Sequence, residues 1–201
     1  MKILRGFDES KENAVLITKK DEKIFCKSEK LQMETTHDLG DVLEVLASLG
    51  YEFAFLDGFN EVDLDPEVES LASLIKKVKR ENAEYCGAIG IFVGFVRKFS
   101  DGKEVVRLEY EAYEPVFSEK VREIENILKS YPGVEGVKIF HKKGKINVGE
   151  DIVYVVIMGR HRKDVWKPLS ESMEIIKREL PVWKKEIYVD GEQWVHDKLE
   201  Q

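Results

Sequence analysis

Past residue 82 one uncharged run, Gly87-Ala88-Ile89-Gly90-Ile91-Phe92-Val93-Gly94-Phe95-Val96, constrains the fold more than any other segment. It is far short of the eighteen or more apolar residues of a membrane span, and its β-branched and aromatic content predicts a buried strand. The glycines at 87, 90 and 94 point to close packing, and their spacing is not the dinucleotide-binding GxGxxG. Val105 to Tyr113 alternates as a half-exposed strand, and Ser100-Asp101-Gly102-Lys103 supplies the intervening turn. A helix is expected over 115–130, burying Val121, Ile124, Ile127 and Leu128 and ending at Tyr131-Pro132-Gly133. Strands at 137–141 and 152–159 follow, then a long helix over 164–180. Strands dominate and helices cover one face, so residues 83–201 read as an α+β domain with a mainly antiparallel sheet.

Residues 1–82 have a shorter rhythm. Asn13–Thr18 and Lys23–Cys26 suggest a hairpin, and Thr36 or Asp38 caps a helix carrying Leu39, Val42, Leu43, Val45 and Leu46 that Gly50 stops. Tyr51–Gly58 reads as a strand. A second helix follows Pro66, with Val68, Leu71, Leu74, Ile75 and Val78 at helical spacing. Its charged end, Lys76 to Asn82, marks the boundary of a small N-terminal α/β domain.

The formal net charge of −7 argues against a nucleic-acid binder. Residues 1–80 carry 12 Lys+Arg against 17 Asp+Glu, whereas 138–185 carry 12 against 6, so a local anion site is expected in the second domain. Cys26 and Cys86 form no CxxC pair, and His37, His141, His161 and His196 have no metal-ligand spacing; neither a metal nor a cofactor is expected. The chain reads as cytoplasmic, without membrane association.

Four features are of one chemical kind. Arg97 follows a strand, as do His161-Arg162; Lys177 lies at the edge of the apolar stripe Leu169, Met173, Ile176 and Leu180; and Lys184 follows the break at Pro181-Val182-Trp183. Singly, each has an ordinary explanation as a solvated charge, a snorkelling lysine or a structural histidine, and Trp183 reads as a core anchor.

Together they resemble one family. Phe92-x-Gly94-x-Val96-Arg97, Leu108-x-Tyr110-Glu111-Ala112-Tyr113, His141-x-x-Gly144, Val148-Gly149-Glu150, His161-Arg162, Lys177 and Pro181-x-Trp183-Lys184-Lys185-Glu186 occur in the order and spacing of the molybdopterin synthase large subunit. The resemblance implies an α+β homodimer within a heterotetramer, each copy binding a ubiquitin-like small subunit whose C-terminal Gly-Gly carries a thiocarboxylate. It implies two sulfur transfers converting cyclic pyranopterin monophosphate into the dithiolene of molybdopterin. Carried over by position, Lys177 and Lys184 are catalytic and Arg97, His161 and Arg162 bind substrate. The residue types suit that chemistry. A thiocarboxylate is already a sulfur nucleophile, so the protein must position anions and stabilise developing charge, which calls for cations. Lys142 and Val165-Trp166 depart from the family pattern in ways that bear on pocket shape. The alternative is a non-catalytic scaffold that docks the carrier. Gly50–Phe59 resembles part of the molybdopterin-guanine dinucleotide biosynthesis GTP-binding adaptor family, but the phosphate loop of that family is absent, so an accessory role without GTP binding is expected for residues 1–82.

Overall fold

The computed structural model describes residues 1–5, 10–37, 39–59, 68–114 and 116–195. Packing divides the chain into two compact units, Met1–Ser73 and Leu74–Gln201.

The first unit contains β1 (Lys2–Arg5), β2 (Ala14–Lys20), β3 (Lys23–Lys27), β4 (Gln32–Thr35), α1 (Leu39–Leu49) and β5 (Phe53–Asp57). The strands form one sheet in the order β1-β5-β2-β3-β4. β1 and β2 run parallel to β5, while β2, β3 and β4 are joined antiparallel as successive hairpins. The first hairpin turns at Asp21, whose φ of 54° is one that aspartate tolerates better than most residues. α1 lays Leu39, Val42, Leu43, Leu46 and Ala47 on Val15, Ile17, Ile24, Cys26 and Ala54. This is the expected small α/β fold. β1 and β4 are too short to show periodicity in the sequence. Asp38, one of the two expected caps, and Pro66 lie outside the described residues.

The division between the units falls within α2 (Leu71–Asn82). Beyond it come β6 (Ala88–Phe95), β7 (Phe99–Ser100), β8 (Lys103–Ala112), α3 (Val116–Lys129), β9 (Val134–His141), β10 (Gly144–Asn147), β11 (Asp151–Gly159), α4 (Arg162–Glu179), β12 (Val182–Tyr188) and β13 (Gly191–Val195). They build two antiparallel sheets, β6-β11-β9 and β10-β8-β12-β13, with β7 paired to β8.

β11 is the centre of the second unit. Its Val153, Val155 and Ile157 point to α3 and α4, meeting Ile124, Leu128, Val165, Ile175, Ile176 and Leu180. Each such side chain removed from water stabilises the fold by roughly 1.5–3 kcal/mol. Gly90 of β6 lets α4 come close, since a Cβ there would sit 3.2 Å from Leu169 and 3.3 Å from Val165. The expected close packing at this glycine is what the structure contains.

Three expectations need correction. β6 is not buried on both sides: it is an edge strand, and Ile91 and Phe95 are 39% and 57% exposed. Ile127 points outward from α3, because Ile124 and Leu128 already fill the face turned to the sheet. Trp183 is not a core anchor; it is 47% exposed.

Candidate active site

The end of β6, the last turns of α4 and the middle of β12 converge on one cavity of about 940 Å³ in the second unit. Each contributes a cation through a local cause. After β6 the chain is held by reciprocal backbone bonds, Val96 N–H to the Glu150 carbonyl and Gly149 N–H to the Val96 carbonyl, both 3.0 Å. Val96 is thereby driven into a core with Val105, Leu108, Ile146 and Tyr188, which leaves Arg97 exposed at the cavity. On α4, Met173 and Lys177 are one turn apart and line the cavity, while Ile175 and Leu180 belong to the core. Lys177 also sits in the last turn, where a positive charge is favoured by the helix dipole. Lys184 stands opposite Tyr110 in the pairing of β12 with β8.

The chain thus brings Arg97, Lys177 and Lys184 together, as expected from sequence. The remaining polar lining includes Glu111 and His141, and Phe92, Phe95, Tyr110, Trp183 and Trp194 supply flat apolar surface. Such a wall suits an anionic ligand that also carries a planar ring.

His161 and Arg162 are elsewhere. Both are exposed at the start of α4, where the His161 backbone N–H donates to the Asp164 carboxylate at 2.9 Å. Fifteen residues of helix separate Arg162 from Lys177, about 22 Å along the axis, so the two ends do not share this cavity within one copy.

Two residues that sequence reasoning leaves out of the site complete it. The first is Glu186, buried beside Lys184: its Oε1 receives the Lys184 ammonium at 2.7 Å and its Oε2 the Tyr188 hydroxyl at 2.6 Å. Burial works against the carboxylate, but the hydrogen bonds from Lys184 and Tyr188 outweigh it and hold the group below the usual carboxylate range. The same bond pushes the Tyr188 phenol up to about 12. The signal is present in Lys184-x-Glu186-x-Tyr188, since alternate residues of a strand share a face. The second is His141, at the end of β9, whose ring lies edge-on to Tyr110 with centroids 4.9 Å apart. Burial pushes its pKa down to about 4, so it is neutral near pH 7.

Comparison with known proteins gives a consistent result. The sequence model of the family described as "MoaE protein" matches residues 64–179. The molybdopterin synthase catalytic subunit of Bacillus subtilis (strain 168) is 41% identical over 129 residues, which is 64% of this chain and 80% of that protein. The human molybdopterin synthase catalytic subunit is 35% identical over 113 residues, covering 56% of this chain and 60% of that one. Among solved structures, molybdopterin synthase from Staphylococcus aureus superposes with a TM-score of 0.57 at 28% identity, covering 68% of this chain and 98% of that one.

Proposed function

The chain belongs to the MoaE protein family, and from that premise we propose that it is the catalytic subunit of a molybdopterin synthase, a sulfurtransferase. It takes sulfur from a thiocarboxylated ubiquitin-like carrier and places it on cyclic pyranopterin monophosphate, forming the dithiolene. The observation that carries this reading is the convergence of Arg97, Lys177 and Lys184 on a single cavity walled by aromatic rings.

The residues divide the work by their chemistry. Arg97 holds the anionic part of the precursor, where a guanidinium fork gives charge-assisted bonds worth roughly 1.5–3 kcal/mol each. Lys177 serves proton transfer or contacts the reacting carbon, and a placed acid or base contributes about 10²–10⁴-fold. Lys184 receives the carrier's carboxylate terminus or the substrate, and Glu186 fixes its ammonium for that purpose. Each spent carrier leaves as its carboxylate.

His161 and Arg162 join the same substrate only from a second copy of the chain, and the homodimer of this proposal is the assembly that supplies them. Two such copies with two carriers make the heterotetramer, acting in the cytoplasm. Residues 1–82 form an accessory domain outside the sulfur chemistry, which is confined to residues 83–201; its likeness to the GTP-binding adaptor family rests on the Gly50–Phe59 segment.

The test is reconstitution. The full chain, thiocarboxylated carrier and precursor are mixed, and product is followed beside a Lys177→Ala variant of matched folding. Molybdopterin from the wild type and its loss in the variant are expected. A variant turning over normally refutes the assignment of Lys177, and carrier binding without product from the wild type leaves a docking scaffold.

A further inference from the structure

One wall of the cavity contains a buried imidazole that the division of labour among the cations does not use. His141 is 6% exposed and borders the cavity beside Tyr110 and Val153. Its Nδ1 lies 2.8 Å from the carbonyl oxygen of Lys142, which only accepts, so Nδ1 carries the proton and Nε2 keeps its lone pair. The Tyr110 ring, packed edge-on at 74°, fixes the imidazole plane. Among the described residues no buried side-chain nitrogen or oxygen lacks a partner, and Lys142 is the hydrogen-bond partner of this ring. With Nδ1 engaged by the Lys142 carbonyl, Nε2 is the ring nitrogen left to meet a ligand in the cavity that His141 borders.

The rest of the polar lining is unlike it. Arg97, Lys177 and Lys184 only donate, the carboxylate of Glu111 accepts from an exposed position, and the hydroxyl of Tyr110 both donates and accepts. An uncharged nitrogen that only accepts, beside apolar Phe92, Ile152 and Val153, does what none of these does: it pairs with a neutral N–H or O–H without attracting a counter-charge and without offering a donor of its own. A reduced pterin presents such donors along its ring edge, whereas its phosphate presents none when ionised.

We propose, on the basis of the molybdopterin synthase reading, that His141 contacts the substrate and sets specificity, its Nε2 accepting a hydrogen bond from a ring N–H or hydroxyl of the phosphorylated pterin. The phosphate is held by the cations, and the ring is read by the imidazole. An analogue lacking that donor is discriminated against, because Nε2 is then desolvated without a partner.

Two substitutions separate this role from a structural one. Asparagine at 141 keeps an amide N–H near the Nδ1 position for the Lys142 carbonyl but has nothing at the Nε2 position; glutamine places an amide oxygen there instead. In calorimetric titration of the full chain with cyclic pyranopterin monophosphate, His141→Asn binds about tenfold more weakly than wild type. His141→Gln retains most of the affinity, and the melting temperatures of the two variants do not track their affinities. In the wild type labelled with ¹⁵N-histidine, the Nε2 resonance of His141 moves when the precursor is added. Wild-type affinity in His141→Asn, or an Nε2 resonance indifferent to a precursor that binds, overturns the proposal and leaves the sulfurtransferase assignment standing. Failure of the wild type to bind the precursor overturns both.

Discussion

Replacing His141 by glutamine removes an acid-sensitive element of the fold. In the folded chain burial, with the charge of Lys143 adding to it and the Lys142 carbonyl opposing it, pushes the imidazole down to about 4. Unfolded, the ring titrates near its usual 6.5. Between these values the unfolded chain binds a proton that the folded chain refuses. Stability rises with pH wherever the unfolded state binds more protons, so the contribution of the neutral ring is present above about 6.5 and is lost as pH falls towards 4. The full effect is about 3 kcal/mol, of which about 2 kcal/mol is expressed between pH 7 and pH 4.5. Carboxylates such as Glu150 and Glu186, held below their usual range, titrate towards the same acid limit. They are common to both proteins and cancel in the comparison. Urea denaturation at pH 7 and pH 4.5 measures the difference: the wild type loses about 2 kcal/mol more than His141→Gln on acidification. Equal losses in the two proteins refute the reasoning.

Glu186→Gln removes the charged partner of Lys184, a contact worth roughly 1.5–3 kcal/mol, so kcat/KM falls about ten- to a hundredfold; unchanged steady-state kinetics refute the positioning role of Glu186. Gly133→Ala places a Cβ 2.5 Å from the Asp164 carboxyl carbon at a φ of +80°, so thermal unfolding shifts down by several degrees, a cost of about 1–3 kcal/mol. An unchanged melt contradicts that close approach. Arg162→Ala leaves the isolated protein as stable as wild type, since the residue is exposed, yet weakens precursor binding if a second copy supplies it to the cavity. Titration of the dimer with the precursor decides the point, and unaltered affinity removes Arg162 from the site.

Period-two and period-3.6 patterns survive without tertiary information, and they made much of the fold legible. The helix carrying Lys177 followed from its spacing and the strand ending at Val96 from its apolar, β-branched content, and the placement of Arg97 and Lys177 where a core element meets a cleft followed from those two elements. An apolar run does not say how many of its faces are covered, which is why β6 reads as buried although Ile91 and Phe95 face outward. β12 is hidden by its composition: Trp183, Lys184, Lys185 and Glu186 look like a surface segment until pairing with β8 turns Glu186 inward and Trp183 towards the cavity. The roles of Glu186 and His141 depend on that pairing and on the end of β9, contacts between residues far apart in sequence that no local pattern records.

Passage of sulfur through this cavity, from a carrier's thiocarboxylate to a pterin, is followed by isotope transfer. With ³⁴S in the thiocarboxylate and the full chain present, the mass of the pterin product is predicted to show two heavy sulfur atoms, absent when Lys177→Ala replaces the wild type. A pterin recovered at its original mass after incubation with the folded wild type and the labelled carrier would rule out sulfur transfer by this chain.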